Sequence, residues 1–158
     1  DKREYVIKEF FDKIKNNYDY ITIDCPPSLG LLTINAFTAS DAVIIPIQCE
    51  FFALEGLSQL MNTIRLVKKK LNSNISIDGV VLTMRDTRSN LGKQVAEEIK
   101  KFFSATVFDT QIPRNVRLAE APSYGEPICI YDKSCVGAKA YQKLTEEYFL
   151  RNNVKYSK

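Results

Sequence analysis

A chain of 158 residues with 45% apolar and 26% charged side chains has the size and make-up of one globular domain able to bury a core. It contains no histidine, which excludes His-ligated zinc and Ser-His-Asp or Cys-His catalysis, and no apolar run approaches the ~20 residues that span a bilayer. Residues 1–50 carry 5 basic and 8 acidic side chains and residues 51–158 carry 17 and 11, balances of −3 and +6 that sum to the net +3. That asymmetry points weakly to an acidic partner such as DNA and fits an ordinary solvated surface slightly better.

Val6 or Ile7, Phe10, Phe11 and Ile14 recur at helical spacing and predict an amphipathic helix over the first fifteen residues. Tyr20, Ile21 and Ile23 suit a pleated, largely buried strand over 20–24, which Pro26 and Pro27 cannot extend. A short helix is expected from Leu31 to Ala39. Ala42 to Ile47 is then a continuous apolar strand of the kind a parallel sheet covered on both faces demands. Leu54, Leu57, Met61, Ile64 and Leu71 mark a long helix ending in Lys68, Lys69 and Lys70, where cations suit the helix dipole. Ile77 to Thr83 is the third strand, Leu91 to Phe103 the next helix, and Thr106 to Phe108 a short fourth strand before a Pro- and Arg-rich segment. A last helix over Ser134 to Leu150 is expected to turn Tyr141, Leu144 and Tyr148 to the core. Alternation of this kind means right-handed βαβ crossovers and an α/β fold with a parallel sheet, here expected as one domain over 1–158. Cys25, Cys49, Cys129 and Cys135 form no C-x-x-C pair and read as reduced thiols.

Asp24 falls at the carboxyl end of the first predicted strand, where open α/β sheets bind ligands. In nucleotide-binding sheets a carboxylate so placed holds Mg²⁺, directly or through a water, beside the phosphates. The plainer role is to satisfy backbone N–H groups at a strand end.

The flanking residues favour the first role. Asp24-Cys-Pro-Pro-Ser-Leu-Gly-Leu-Leu-Thr-Ile-Asn-Ala-Phe-Thr-Ala-Ser-Asp41 resembles the Walker B and switch segment of the ParA/Soj chromosome-partition ATPases. Ile45-Pro-Ile-Gln-Cys-Glu-Phe-Phe-Ala-Leu-Glu-Gly-Leu57 and the stretch Ile112-Pro-Arg-Asn-Val-Arg-Leu-Ala-Glu-Ala-Pro-Ser-Tyr-Gly-Glu-Pro127 resemble two later blocks of that family, in the family's order. The resemblance runs from about Arg3 to Arg151 and implies a layer sandwich of the deviant P-loop NTPase type. The family's glycine-rich P-loop is not represented: the six glycines, at 30, 56, 79, 92, 125 and 137, are too dispersed to build it. The chain is therefore expected to be the C-terminal part of a ParA-like ATPase domain, with the N-terminal strands missing.

The resemblance also implies roles. Asp24 takes the Walker B position, holding Mg²⁺ through a water, and Pro26, Pro27, Ser28 and Gly30 form a switch that senses the γ-phosphate; a loop that re-aims itself suits a glycine at position 30. The rival role for Ser28 is N-cap of the following helix. Met84, Pro113 and Asn115, on loops after the third and fourth strands, would contact the adenine, and Glu50 would reach nucleotide across a dimer or serve as a strand-end carboxylate. Arg88 and Arg117 would grip DNA phosphates without reading bases. The implied cofactors are ATP and Mg²⁺; the implied partners are non-specific DNA, a ParB-like protein and a second copy in a nucleotide sandwich, with no membrane. The setting would be cytoplasmic and nucleoid-associated, the cargo a chromosome or plasmid, and the intact parent an ATPase whose present portion is inactive alone. The alternatives are a MinD-like membrane-associated division-site ATPase, against which the polar end Leu150 to Lys158 argues, a non-catalytic truncated binding protein, and an iron–sulfur carrier, which would need paired cysteines.

Overall fold

The computed structural model describes residues 2–154. In chain order they form α1 (Val6–Ile14), α2 (Leu31–Ala39), β1 (Ala42–Gln48), α3 (Ala53–Lys70), β2 (Ser76–Thr83), α4 (Asn90–Phe103), α5 (Val116–Glu120), α6 (Ile128–Tyr131) and α7 (Val136–Arg151). β1 and β2 pair as a two-stranded sheet, extended by isolated parallel bridges from Val80 to Val107 and from Arg85 to Pro113. The residues group into two compact units, one of Asp1–Val43 with Glu55–Asp78 and the other of Ile44–Leu54 with Gly79–Lys158.

The first unit is organised by α2, whose Thr33, Asn35, Ala36, Phe37 and Thr38 are buried. Burying three polar residues requires partners, and they have them: Thr33 Oγ1 donates to Ser28 O (2.5 Å) and Thr38 Oγ1 to Ile34 O (2.7 Å). Asn35 Nδ2 donates to the carbonyls of Arg3 (2.8 Å) and Leu31 (3.1 Å), while its Oδ1 accepts from Ile7 N–H (3.3 Å), tying the start of α1 to α2. Asn72 Nδ2 does the same at the other end, donating to the carbonyls of Phe37 (3.0 Å) and Ser40 (2.7 Å). Of the predicted α3 stripe, Leu57 and Ile64 are buried and Leu54, Met61 and Leu71 half-buried, while Val67, which the stripe does not include, is buried as well. Of the apolar residues predicted for α1, Ile7, Phe11 and Ile14 are half-buried, while Val6 and Phe10 face solvent.

Three expectations are corrected. The segment Tyr20 to Asp24 carries no strand, and Tyr20 and Ile21 are exposed. Strand propensity expresses fit to a pleated, half-buried surface, and among the described residues the sheet's strands are β1 and β2 alone, so apolar residues by themselves do not make this segment one. β1 is not covered on both faces: Ile45 and Ile47 are buried while Ile44 and Pro46 are exposed, the alternation of a strand covered on one face. The fourth strand reduces to a single bridge at Val107.

The second unit explains that last difference. Its core contains Val81, Phe108 and Ile112, with Leu118, Ala140, Leu144 and Tyr148 packed against it; Tyr141, expected in the core, is 42% exposed. Phe108 N–H donates to Val80 O (2.9 Å) and Ile112 N–H to Leu82 O (2.8 Å), so the 107–112 segment follows β2. Between them, however, the N–H groups of Asp109 (2.8 Å) and Thr110 (2.9 Å) donate to the Glu147 carboxylate on α7. Those donors are lost to the ladder, and the strand is interrupted. Arg151, one turn on, donates to Glu147 (2.6 Å) and Val107 O (2.8 Å) and lies 4.5 Å over the Phe108 ring. Burial raises the Glu147 pKa, but the hydrogen bonds from Thr110 and Asp109 and the Arg151 charge outweigh it and leave the carboxyl below its ordinary range. A lowered folded-state pKa contributes stability that is fully present above the unfolded value of about 4.3 and is lost as pH falls through the folded value. Glu147→Gln is therefore expected to flatten the loss of stability below pH ~4, read as urea midpoints across pH 3 to 6; an acid slope identical to that of the unsubstituted chain would contradict the clamp.

Candidate nucleotide and DNA-contact residues

Asp24 and the Pro26 to Gly30 segment lie in the first unit; Glu50, Met84, Arg88, Pro113, Asn115 and Arg117 lie in the second. Asp24 is exposed, and the neighbouring Cys25 thiol is pushed up by burial and then by the Asp24 charge. Pro26, Pro27, Ser28, Leu29 and Gly30 are all exposed. Gly30 is the N-cap of α2 with ordinary extended backbone (φ −86°, ψ −171°), and a Cβ there would meet only Ser28 Oγ at 3.9 Å. Backbone strain thus does not demand glycine at this position in this conformation. Ser28 is not the cap either; its carbonyl accepts from Thr33 Oγ1 (2.5 Å), which fixes the entry to α2.

In the second unit the two loops assigned to the base come together. Arg85 N–H donates to Ile112 O (3.0 Å) and Arg114 N–H to Arg85 O (3.2 Å), so Pro113 pairs with Arg85 in a parallel bridge and Met84 immediately precedes that pair. Met84 is 43% exposed and has φ +49°, a left-handed conformation uncommon for a side chain of this size, at the carboxyl end of β2. Asn115 precedes α5, and its Oδ1 is buried without a hydrogen-bond partner, an acceptor of the kind an adenine amino group requires. Glu50 is exposed in the turn after β1, where its carbonyl accepts from Ala53 N–H (3.0 Å).

Arg85, not assigned a role by the sequence, links these parts. Its Nε donates to Gln111 Oε1 (3.1 Å), and a Cβ on Gly92, in the first turn of α4, would meet its Nη1 at 3.0 Å and the Cys49 carbonyl at 3.5 Å. α4 itself is capped by Ser89, whose Oγ accepts from Gly92 N–H (3.0 Å). Close approach at a bare glycine therefore seats the start of α4 against the end of β2.

Arg88 and Arg117 are exposed, but neither is a free cation. Arg88 backbone N–H (2.9 Å) and Nε (3.1 Å) donate to Asp86 Oδ1, and its Nη2 donates to Oδ2 (3.1 Å). The side-chain and backbone hydrogen bonds from Arg88 hold the Asp86 carboxyl well below its usual range, at about 2. Arg117 Nη1 donates to Glu120 Oε2 (2.9 Å), and its Nε lies 3.6 Å from Asp132 Oδ2. Sequence reasoning missed these pairings. The signal was present in the Asp86-x-Arg88 and Arg117-x-x-Glu120 spacings, the first a turn and the second one helical step.

Parallel pairing of segments set between helices, with loops gathered at the end of β2, makes this an α/β chain, and its likeness to solved structures places the fold in the P-loop NTPase class. The "AAA domain" family description matches residues 1–77. Sporulation initiation inhibitor protein Soj of Bacillus subtilis (strain 168) is 62% identical over 145 residues, 92% of this chain and 57% of that protein. Chromosome partitioning protein ParA of Caulobacter vibrioides is 50% identical over 159 residues, 99% of this chain and 60% of that protein. Among solved structures, cobyrinic acid a,c-diamide synthase from Mycobacterium smegmatis with bound ATP analog and magnesium is 31% identical with a TM-score of 0.76, over 91% of this chain and 53% of that one. The chain belongs to the ParA/Soj family of chromosome-partition ATPases. It spans a little over half the length of the curated relatives it matches.

Proposed function

We propose that the protein carrying this chain binds ATP and Mg²⁺, closes into a nucleotide-sandwich homodimer and coats DNA without sequence preference. A ParB-like partner stimulates hydrolysis and releases the DNA, and the cycle partitions a chromosome or plasmid in the cytoplasm, on the nucleoid. The observation that carries this reading is the 62% identity to Soj across 92% of the chain. Residues 1–158 are the C-terminal part of the ATPase domain, and residues outside this chain supply the P-loop and the sheet neighbours of Tyr20 to Asp24.

The residues fit the cofactors. Asp24 offers Mg²⁺ an exposed carboxylate, a hard oxygen ligand, and Pro26, Pro27, Ser28 and Gly30 form an exposed segment free to respond to a γ-phosphate. ATP with its metal supplies the phosphoryl group; the protein's part is positioning and charge neutralisation. Met84 and Pro113 flank the base, Asn115 Oδ1 provides its acceptor, and Glu50 serves the second copy. Arg88 and Arg117 meet DNA phosphates. Arg88→Ala and Arg117→Ala, each in the full-length protein with ATP, are expected to weaken binding equally on unrelated DNA sequences. Each lost contact also reduces the salt slope of log K by roughly 0.9, while nucleotide affinity is unchanged. A fall in nucleotide affinity together with DNA affinity would instead place these arginines in the adenine pocket. A loss confined to one DNA sequence would sink the phosphate-contact assignment.

A further inference from the structure

We infer that Asp86 and Glu120 are built-in counter-ions that compete with DNA phosphate for Arg88 and Arg117 and hold the protein's DNA affinity below what those arginines would give unopposed. The inference rests on the DNA-contact reading above and adds two residues to it.

The geometry at Arg88 is a filled fork. A guanidinium recognises phosphate through two parallel N–H groups, and the Nε and Nη2 pair is the edge best suited to it. In this structure that edge is bonded to both oxygens of Asp86, at 3.1 Å each. Asp86 is itself fixed, because its Oδ1 also accepts from Arg88 backbone N–H at 2.9 Å and closes a turn. The arginine side chain is 90% exposed, so what competes for its N–H groups is this carboxylate or whatever solvent or ligand arrives. A phosphate taking the same edge must displace Asp86.

Arg117 repeats the arrangement with different parts. Its Nη1 is bonded to Glu120 Oε2 (2.9 Å), an oxygen that also accepts from Tyr131 OH (3.2 Å), and Asp132 Oδ2 lies 3.6 Å from its Nε. Asp132 is held in place by Ser134 Oγ (2.8 Å) and by the N–H groups of Ser134 and Cys135 (3.1 Å each). Both arginines assigned to DNA thus sit against carboxylates held by further hydrogen bonds, from Arg88 N–H at Asp86 and from Tyr131 OH at Glu120, although residues 51–158 carry a balance of +6. Exposed ion pairs are individually weak, so such a counter-ion lowers affinity without blocking the site. That suits a protein that must let go of DNA once per cycle.

Asp86→Asn is the test, because asparagine keeps an oxygen for the Arg88 N–H and with it the turn. In the full-length protein with ATP, on two unrelated duplexes, it is expected to raise DNA affinity about three-fold and to steepen the salt slope by up to ~0.9. Glu120→Gln is expected to act in the same direction. Removing any negative charge favours DNA somewhat, so the decisive comparison is Asp86→Asn in an Arg88→Ala background. The gain is expected to vanish there, whereas a general charge effect would give the same factor in both backgrounds and would overturn the inference. If Arg88→Ala weakens DNA binding but Asp86→Asn leaves it unchanged, the counter-ion role falls and the DNA-contact reading stands. If Arg88→Ala changes nothing, both fall.

Discussion

Asp24→Ala is expected to lower magnesium-dependent ATP turnover of the full-length protein by ~100-fold or more, the scale of losing a group that neutralises transition-state charge. Asp24→Asn keeps the volume and one oxygen but not the charge, and is expected to fall nearly as far. Asp24 is exposed, so neither substitution removes packing, and the unfolding midpoint is expected to stay within the usual surface range. That separates a catalytic loss from a folding loss. The 158-residue chain alone is expected to show no magnesium-dependent turnover, because its dispersed glycines build no backbone cradle for phosphates. Turnover by that chain, abolished by Asp24→Ala, would mean the phosphate site is built from other residues. A full-length Asp24→Ala protein within about three-fold of the parent would remove Asp24 from the mechanism.

What the sequence made legible was whatever depends on local periodicity. Leu57 and Ile64 named the buried face of α3, and the runs from Leu31 to Ala39 and from Leu91 to Phe103 became α2 and α4 within a residue. The misses depend on partners far away in the chain. Tyr20, Ile21 and Ile23 have strand chemistry, but a strand exists only where a neighbour pairs with it. Val107 and Phe108 have the same chemistry and do pair with β2 at Val80, but the pairing stops at Asp109, whose N–H goes to the carboxylate of Glu147, 38 residues later. No window of ten residues contains that information. α5 and α6, at five and four residues, are too short to show a period at all.

The candidate site divides the same way. Asp24, the proline pair and the Pro113-Arg114-Asn115 run are named by resemblance to a motif, which carries residue identity but not environment. The motif cannot show that Gly30 has unstrained backbone, that Asn115 Oδ1 is buried without a partner, or that Arg88 is forked onto Asp86. Each of those follows from backbone turns that bring side chains two or three residues apart into contact, or from packing that a one-dimensional pattern does not encode.

The largest stability effect is expected at Gly79. In a β-strand, replacing glycine by alanine ordinarily helps, by roughly 0.5–1 kcal/mol, because the unfolded chain loses freedom and the strand gains a side chain. Here the sign reverses. A Cβ on Gly79 would lie 2.0 Å from Cε2 of Phe108, 2.7 Å from Cζ and 2.8 Å from Cδ2, all well inside van der Waals contact. The ring cannot swing away at low cost, because Phe108 is 1% exposed and its other neighbours include the Arg151 guanidinium. Gly79→Ala is therefore expected to destabilise by about 3 kcal/mol, the upper end of ordinary overpacking, and Gly79→Val by more. Phe108→Leu alone is also expected to destabilise, through lost packing. In the double variant the smaller side chain leaves room for the new methyl, so the two losses should fall short of additivity by at least ~1 kcal/mol. The same clash moves the 107–113 segment that leads to Pro113 and Asn115, so in the full-length protein nucleotide affinity is expected to drop with stability and to recover in the double variant. Denaturant midpoints and nucleotide binding on the four proteins of the cycle decide it. Gly79→Ala within about 0.5 kcal/mol of the parent, or strict additivity with Phe108→Leu, would show that Phe108 is not held where it meets β2.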